Sequence, residues 1–348
     1  MEGSNDWSSF PPDLLFLITN YLTLYEFIIF GSVCVSWRNI YNQKLKKVHN
    51  NNGFIRGWRQ MPWLVLPLSS SNNTSKQFIT HEFYSPSDGK TFHIDLPLVN
   101  LDWFTCIGSS SGELIIADPY SRMCILNPLT RARVCISSFG VSMPHRATKC
   151  YDRGIIVAFT LNTLFKVSMQ PMQGTSKLLR VLDCHIWDII FYKGRVYALV
   201  GNGRLLVVNL CDGNGEAEVE LVAEGINDSL LPLARLYLVE SSGELLQVVK
   251  FRDEEGTITF NLYKFDETNK QWQREFYLGE HALFLNSRLS MSVSASGVCG
   301  MRRNCIYFIE PTKSFSSEIK VFNMMDKVTQ LYCKFNKFEP IWMMPSLS

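Results

Sequence analysis

Along the last two thirds of the 348-residue chain a turn signal recurs near Gly112, Gly154, Gly194, Gly243 and Asn304, at intervals of 42, 40, 49 and 61 residues. Around each signal lie short, wholly apolar or alternating runs, such as Leu114 to Ala117, Val196 to Val200, Leu205 to Val208, Leu245 to Val249 and Cys305 to Ile309. Runs of four to eight residues bounded by Gly, Asn, Asp and Pro are strands, and no long amphipathic helical pattern interrupts them. One unit of this size cannot bury both faces of its small sheet, so it must stack against copies of itself. About four strands per period of 40 to 50 residues suits a propeller blade, and some 285 residues divided by roughly 45 predicts about six blades.

A ring has to be closed. Met61 to Leu66 and Ile341 to Pro345 share an apolar character at opposite ends of this region, and pairing them would remove an exposed sheet edge. Asn127-Pro128 and Asp118-Pro119 fit the first two positions of a type I turn. The region has no Gly-Gly doublet of the kelch kind, and Trp187-Asp188 lacks the upstream Gly-His of a WD repeat, so neither label applies.

The first fifty residues follow a different period. Pro11-Pro12 with Asp13 opens a helix expected over Asp13 to Tyr21. Thr23 and Glu26 read as a capping box that starts a second helix carrying Leu24, Phe27, Ile28 and Phe30. A third, from about Ser32, carries Val33, Trp37, Ile40 and Tyr41 at spacings of three and four. Leu14 to Val35 is long enough to span a bilayer, but Asn20, Thr23, Glu26, Gly31 and Ser32 break it into short helices, so no membrane anchor is expected. Three short helices cannot bury this much apolar surface among themselves, and part of it must face a partner or the next domain.

A net charge of +2 gives no electrostatic reason to propose nucleic acid as the partner, and Lys44, Lys46 and Lys47 read as a solvated helix end. Ten scattered cysteines without a CxxC pair argue against both a disulfide scaffold and a zinc site. With no basic-then-apolar leader in the first ten residues, free thiols in the cytoplasm or nucleus are expected, and the sequons at Asn72, Asn73 and Asn227 would be idle.

FPPDLLFLITNYL followed by VCVSWRNI resembles an F-box, the helical hook that docks on the Skp adaptor of cullin-based ubiquitin ligases. The remainder resembles the KIB-type β-propeller of plant F-box proteins. That likeness is carried by Gly108 to Leu114, Leu126 to Thr130, Tyr192 to Leu199, Tyr237 to Leu246, Ala282 to Leu285, Arg303 to Phe308 and Trp342 to Leu347. Phe10 stands where a leucine is usual, Gly31 where a polar residue is frequent, and Asn286 where a glycine is usual. Domain boundaries follow at 4–48 for the F-box, 49–60 for a linker and 61–348 for the propeller.

The resemblance implies that Pro12, Leu14, Leu15, Ile18, Leu22, Phe30, Val33, Cys34, Trp37 and Arg38 contact the adaptor, with Trp37 also holding the hook together. It implies a non-catalytic substrate receptor that joins an unidentified target protein to the Skp adaptor and, through it, to cullin. No cofactor or metal is called for. The alternative is a ligase-independent binding protein with a decayed F-box.

Possible hidden chemistry is weaker. Gly108 to Gly112 fits GxSxG, which would make Ser110 a hydrolase nucleophile, but a strand rather than the required helix is expected after it. Gly201-Asn-Gly203 and Gly213-Asn-Gly215 read as hairpin turns and Asp253 to Gly256 as an acidic hairpin tip. Trp103, Trp187 and Trp272 read as packing residues more than substrate anchors.

Overall fold

The computed structural model describes residues 7–50, 60–66, 79–96, 105–110, 112–118, 122–136, 144–150, 154–169, 176–210, 217–226, 234–312, 314–337 and 339–347. Gly213 to Gly215, Trp103, Pro119, the three sequon asparagines and 51–59 of the expected linker lie outside them.

The hook begins with a 3₁₀ turn, Trp7–Ser9, and three helices, α1 Pro12–Ile18, α2 Leu24–Phe30 and α3 Val35–Asn50. α1 carries Pro12 where no N–H partner is needed, with Asp13 in the first turn. It ends earlier than the sequence pattern suggests, because Thr19 caps it: the hydroxyl donates to the Phe16 carbonyl at 2.7 Å. The capping box of α2 forms as expected. Thr23 Oγ1 accepts from the Glu26 N–H at 3.3 Å, and Glu26 Oε2 accepts from the Thr23 N–H at 2.8 Å. α3 starts at Val35 rather than Ser32, since the Ser32 and Val33 N–H groups close a turn on Ile29 and Phe30. It also runs past residue 48, and Gln60, at the end of the expected linker, is fully buried.

The hook has a small core of Leu15, Phe30 and Ile40, flanked by Phe10, Phe16, Leu22, Trp37 and Tyr41. Gly31 matters here for space: a Cβ on it would sit 2.8 Å from the Tyr41 ring. The lysine cluster is not a simple solvated end. Lys44 Nζ donates to Thr19 Oγ1 and Asn20 Oδ1 at 2.9 and 2.7 Å, and Lys47 lies 4.4 Å from the Phe16 ring centre.

The rest is a six-bladed ring. β1 Trp63–Leu66, β2 Ile79–Ser85 and β3 Lys90–Leu96 belong to blade 1. Blade 2 holds β4 Thr105–Ser110, β5 Glu113–Ala117, β6 Met123–Leu126 and β7 Arg133–Ile136. Blade 3 holds β8 Arg146–Cys150, β9 Ile155–Thr160, β10 Thr163–Ser168 and β11 Ser176–Val181. Blade 4 holds β12 Ile186–Tyr192, β13 Arg195–Val200, β14 Arg204–Asn209 and β15 Glu218–Ala223. Blade 5 holds β16 Arg235–Ser241, β17 Glu244–Arg252, β18 Ile258–Asp266 and β19 Gln271–Glu275.

Blade 6 departs from the four-strand unit. Its order is β21 (Ser290–Ser294), β20 (His281–Leu285), β22 (Cys305–Pro311), β23 (Ser317–Asn323) and β24 (Thr329–Phe335). β20 is inserted between the first and second strands and runs parallel to β22. That insertion explains why the interval ending at Asn304 is the longest. The recurring marks occupy one structural position, the turn leading into a blade's second strand, and all five have positive φ.

The last strand, β25 Ile341–Met343, pairs antiparallel with β1, Leu64 opposite Trp342. The two apolar ends therefore meet as expected and close the ring. Six apolar clusters fill the six junctions between neighbouring blades; the one between blades 6 and 1 includes Met61, Leu64, Phe284, Tyr307 and Trp342. The core of this domain is between sheets, so each blade depends on its neighbours.

The hook rests on blade 1. Thr23 Oγ1 donates to Asp88 Oδ1 at 3.0 Å, and the Leu24 N–H donates to Gln60 Oε1 at 3.1 Å. The Tyr25 and Phe92 rings lie 4.5 Å apart, with Lys90 over Tyr25. The hook is therefore seated by contacts as well as by its connecting segment.

Candidate functional site

The ten residues expected to face an adaptor divide into three sets. Pro12, Leu14, Ile18, Val33 and Arg38 are exposed, with Leu14 at 47%, Ile18 at 37% and Val33 at 50%. Leu15 and Phe30 are buried in the hook's own core, at 1% and 3%. They correct the expectation that they offer contact surface, because a side chain already packed on three helices has little area left to bury. Leu22, Cys34 and Trp37 are half-buried. Trp37 holds the hook together as expected: its ring is 4.5 Å from Phe30, and Nε1 donates to the Trp7 carbonyl at 3.0 Å. Arg38 Nε donates to the Gly31 carbonyl at 3.2 Å and so fixes the α2–α3 turn.

Sequence reasoning missed Leu17, Tyr21, Ile29 and Val35, all exposed apolar side chains of the hook. Leu14, Leu17 and Ile18 follow helical spacing on one face of α1 and Tyr21 lies in the turn after it, a signal available in the sequence but hidden because Leu15 and Phe16 fill the other faces. No described helix is long and apolar enough to cross a membrane.

The first strands of the blades, β25, β4, β8, β12, β16 and β21, line the ring's central channel. Within it lies a buried polar joint that no sequence motif announces. Arg146 Nη1 donates to Asp188 Oδ2 at 2.5 Å, and Arg146 Nη2 donates to Ser290 Oγ at 2.8 Å. Asp188 Oδ2 also accepts from the Leu238 N–H at 2.8 Å, and Oδ1 from the Ile189 N–H at 2.7 Å. Ser290 Oγ donates to the Leu238 carbonyl at 2.5 Å. The joint ties blades 3, 4, 5 and 6 together. Burial is the largest influence on both ions, pushing the Asp188 carboxyl up and the Arg146 guanidinium down, and their mutual attraction opposes it.

The GxSxG stretch forms a hairpin. β4 ends at Ser110, Gly112 turns with φ +81°, and β5 follows, whereas a nucleophile elbow needs a helix there. Ser241 to Leu245 makes the matching hairpin in blade 5, turning at Ser242 and Gly243. Asp253 to Gly256 is a hairpin tip, with Asp253 Oδ1 accepting from the Thr257 N–H at 2.7 Å. Trp187 and Trp272 donate to the Gly201 and Gly203 carbonyls at 2.7 and 3.0 Å, which makes them packing residues. Among the described residues no group of three or more His, Cys, Asp or Glu side chains has the arrangement of a metal site, and the nine described cysteines are free.

Two family models match this chain: an F-box domain over residues 7–47 and a KIB1-4 β-propeller over residues 83–323. The F-box protein At3g56470 of Arabidopsis thaliana is 23% identical, with all of this chain and 91% of its own length covered. F-box protein At2g05970 of the same plant is 21% identical over 98% of this chain and 97% of its own. A further Arabidopsis relative, also named for its F-box, reaches 26% identity with 92% of both chains covered. Among solved structures, the Cps50 (Swd1) β-propeller domain of Myceliophteria thermophila covers 80% of this chain and 86% of its own, at 12% identity and a TM-score of 0.40. A Lactobacillus plantarum protein gives a TM-score of 0.44 at 10% identity, over 80% of this chain and 97% of its own.

Proposed function

Because this chain belongs to the KIB1-4 β-propeller family and carries an F-box domain, we propose that it is the substrate-recognition subunit of a Skp–cullin–F-box ubiquitin ligase. The observation that carries this reading is the hook's unspent surface. Eight of the eighteen large apolar side chains exposed among the described residues lie between Trp7 and Val35. Such a concentration on so small a module suits a protein partner. The Skp adaptor would take the face formed by Leu14, Leu17, Ile18 and Tyr21 with Ile29, Val33 and Val35 at the far end of α2, the turn beyond it and the start of α3. The propeller would hold the target protein, in the cytoplasm or nucleus.

The chain itself breaks no bond in this scheme. Tethering raises the effective concentration of target lysines near the conjugating enzyme, and catalysis belongs to the recruited subunits. Full-length protein mixed with a purified plant Skp adaptor should give a stoichiometric complex at micromolar concentrations. No complex at those concentrations would instead favour a ligase-independent binding protein. A serine-reactive fluorophosphonate that labels wild type but not Ser110→Ala would contradict the non-catalytic role.

A further inference from the structure

The channel has a charged mouth that nothing above employs. Four consecutive blades place a cationic or protonatable side chain at the entry to the first strand: His145 before β8, His185 before β12, Arg235 at the start of β16 and Arg288 before β21. All four stand at one end of the channel, because each precedes or opens the innermost strand of its blade. Arg288 in blade 6 acts electrostatically on His145 in blade 3 and on Cys106 in blade 2. Arg235 acts on both histidines. Its guanidinium donates to the Ser287 carbonyl and lies 5.6 Å from the Tyr237 ring centre.

Arg288 is held in place by a built turn. Asn286 is buried; its Oδ1 accepts from the Arg288 and Leu289 N–H groups at 2.9 and 2.6 Å. Its Nδ2 donates to the Pro340 carbonyl at 3.3 Å, which joins the turn to the closing strand.

The described carboxylates near the mouth bond to other groups. Asp188 is held by Arg146 and two backbone N–H groups. Glu310 pairs with Lys250 and Arg252, and Glu339 accepts from Ser287 Oγ at 3.2 Å. Asp183, two residues before His185, interacts with Cys184, beside which Arg204 also lies. Among the described residues no carboxylate forms an ion pair with His145, His185, Arg235 or Arg288. Four cationic or protonatable side chains at one end of the channel, none of them ion-paired with a described carboxylate, suit an anion.

We propose that this mouth seats an anionic side chain, a carboxylate or a phosphate, on an extended segment of the target protein. The proposal deepens the substrate-receptor reading and rests on it for the nature of the partner. Four such side chains suit one or two anionic groups better than a continuous polyanion. Burial, followed by neighbouring positive charge, lowers the basicity of both histidines. The lasting positive charge of the mouth therefore comes from its two arginines. A bound anion reverses the effect, both imidazoles take up protons, and affinity rises as pH falls from 7.5 toward 6.

The test uses the full chain with ¹³C-labelled histidine, titrated in chloride and in sulfate of equal ionic strength. Sulfate should raise the midpoints of His145 and His185 by about half a unit or more, selectively among the histidines. Short Gly-Ser peptides bearing one central phosphoserine, glutamate or serine then identify the source of the anion. The first or the second should bind and the serine peptide should not. Arg235→Gln with Arg288→Gln should weaken binding about tenfold or more, and Arg235→Lys should restore part of it. Uniform histidine shifts, or equal binding of all three peptides, would overturn the proposal, as would an oligonucleotide that outcompetes the preferred peptide. Adaptor capture on the same preparation keeps the two readings apart. Capture without a sulfate or peptide response sinks only the mouth. A response without capture sinks only the ligase assignment.

Discussion

The hook and the propeller bury apolar surface in opposite ways. The propeller places its large side chains in six inter-blade junctions and closes the ring, so that Trp63, Trp342, Tyr307 and Phe284 are all buried to within 1%. The hook buries Leu15, Leu24, Phe27, Phe30 and Ile40 and leaves eight large apolar side chains in water. A closed ring needs no partner to complete its core. The hook's shape is fixed by a capping box, a close Gly31–Tyr41 contact and its seat on blade 1, while its outer face stays unspent. Core and exposed surface are therefore separable in the hook, residue by residue, whereas in the ring each blade's stability depends on its neighbours.

The largest effect should come from opening the ring. Truncation after Pro340 removes β25 and uncovers the edge of β1, and the expected result is loss of the cooperative melting transition together with aggregation. Trp342→Ala is the milder version, costing about 3–5 kcal/mol by cavity formation, seen as a reduced denaturation midpoint. Asp188→Asn should follow closely. It leaves the Arg146 charge buried without its counter-ion, a loss of about 3–5 kcal/mol felt by four blades at once. If the ring melts unchanged after that substitution, the polar joint is not structural.

Effects in the hook should be smaller and local. Leu15→Ala should cost about 2–5 kcal/mol of hook stability, read by hydrogen exchange in α1 and α3 with blade strands unaffected. Gly31→Ala sharpens the contrast. Helix propensity alone predicts stabilisation by about 1 kcal/mol, whereas the contact with Tyr41 predicts a loss of about 1–3 kcal/mol. Thr23→Ala removes both the cap and the bond to Asp88, for about 1–2 kcal/mol. Faster exchange at the β2–β3 turn as well as in α2 would show that the seat on blade 1 is real.

Much of this was readable before any coordinates. The five turn positions carried the blade period because each demands a positive φ, which glycine and asparagine tolerate, and the apolar termini carried the closure because an unpaired edge is costly. Thr23 and Glu26 carried the α2 start for a reason local in sequence. What was not readable depends on distance in space. Nothing near residue 281 signals that β20 will insert parallel to β22, since that pairing is settled 24 residues later by the fit of blade 6. Arg146, Asp188 and Ser290 are scattered over three blades with no local motif. Leu14 and Leu15 are chemically identical neighbours, and only the packing of α3 decides that one is core and the other surface.

That pair gives the most direct test. Leu14→Ala combined with Ile18→Ala should leave the melting temperature of the full chain within error of wild type, because both side chains are solvent-exposed. Adaptor affinity, measured by calorimetry, should fall about thirtyfold, the rough worth of the apolar area the two would bury on docking. An unchanged affinity, or a double variant that melts as low as Leu15→Ala, would contradict the division of the hook into a core that holds it and a face that binds.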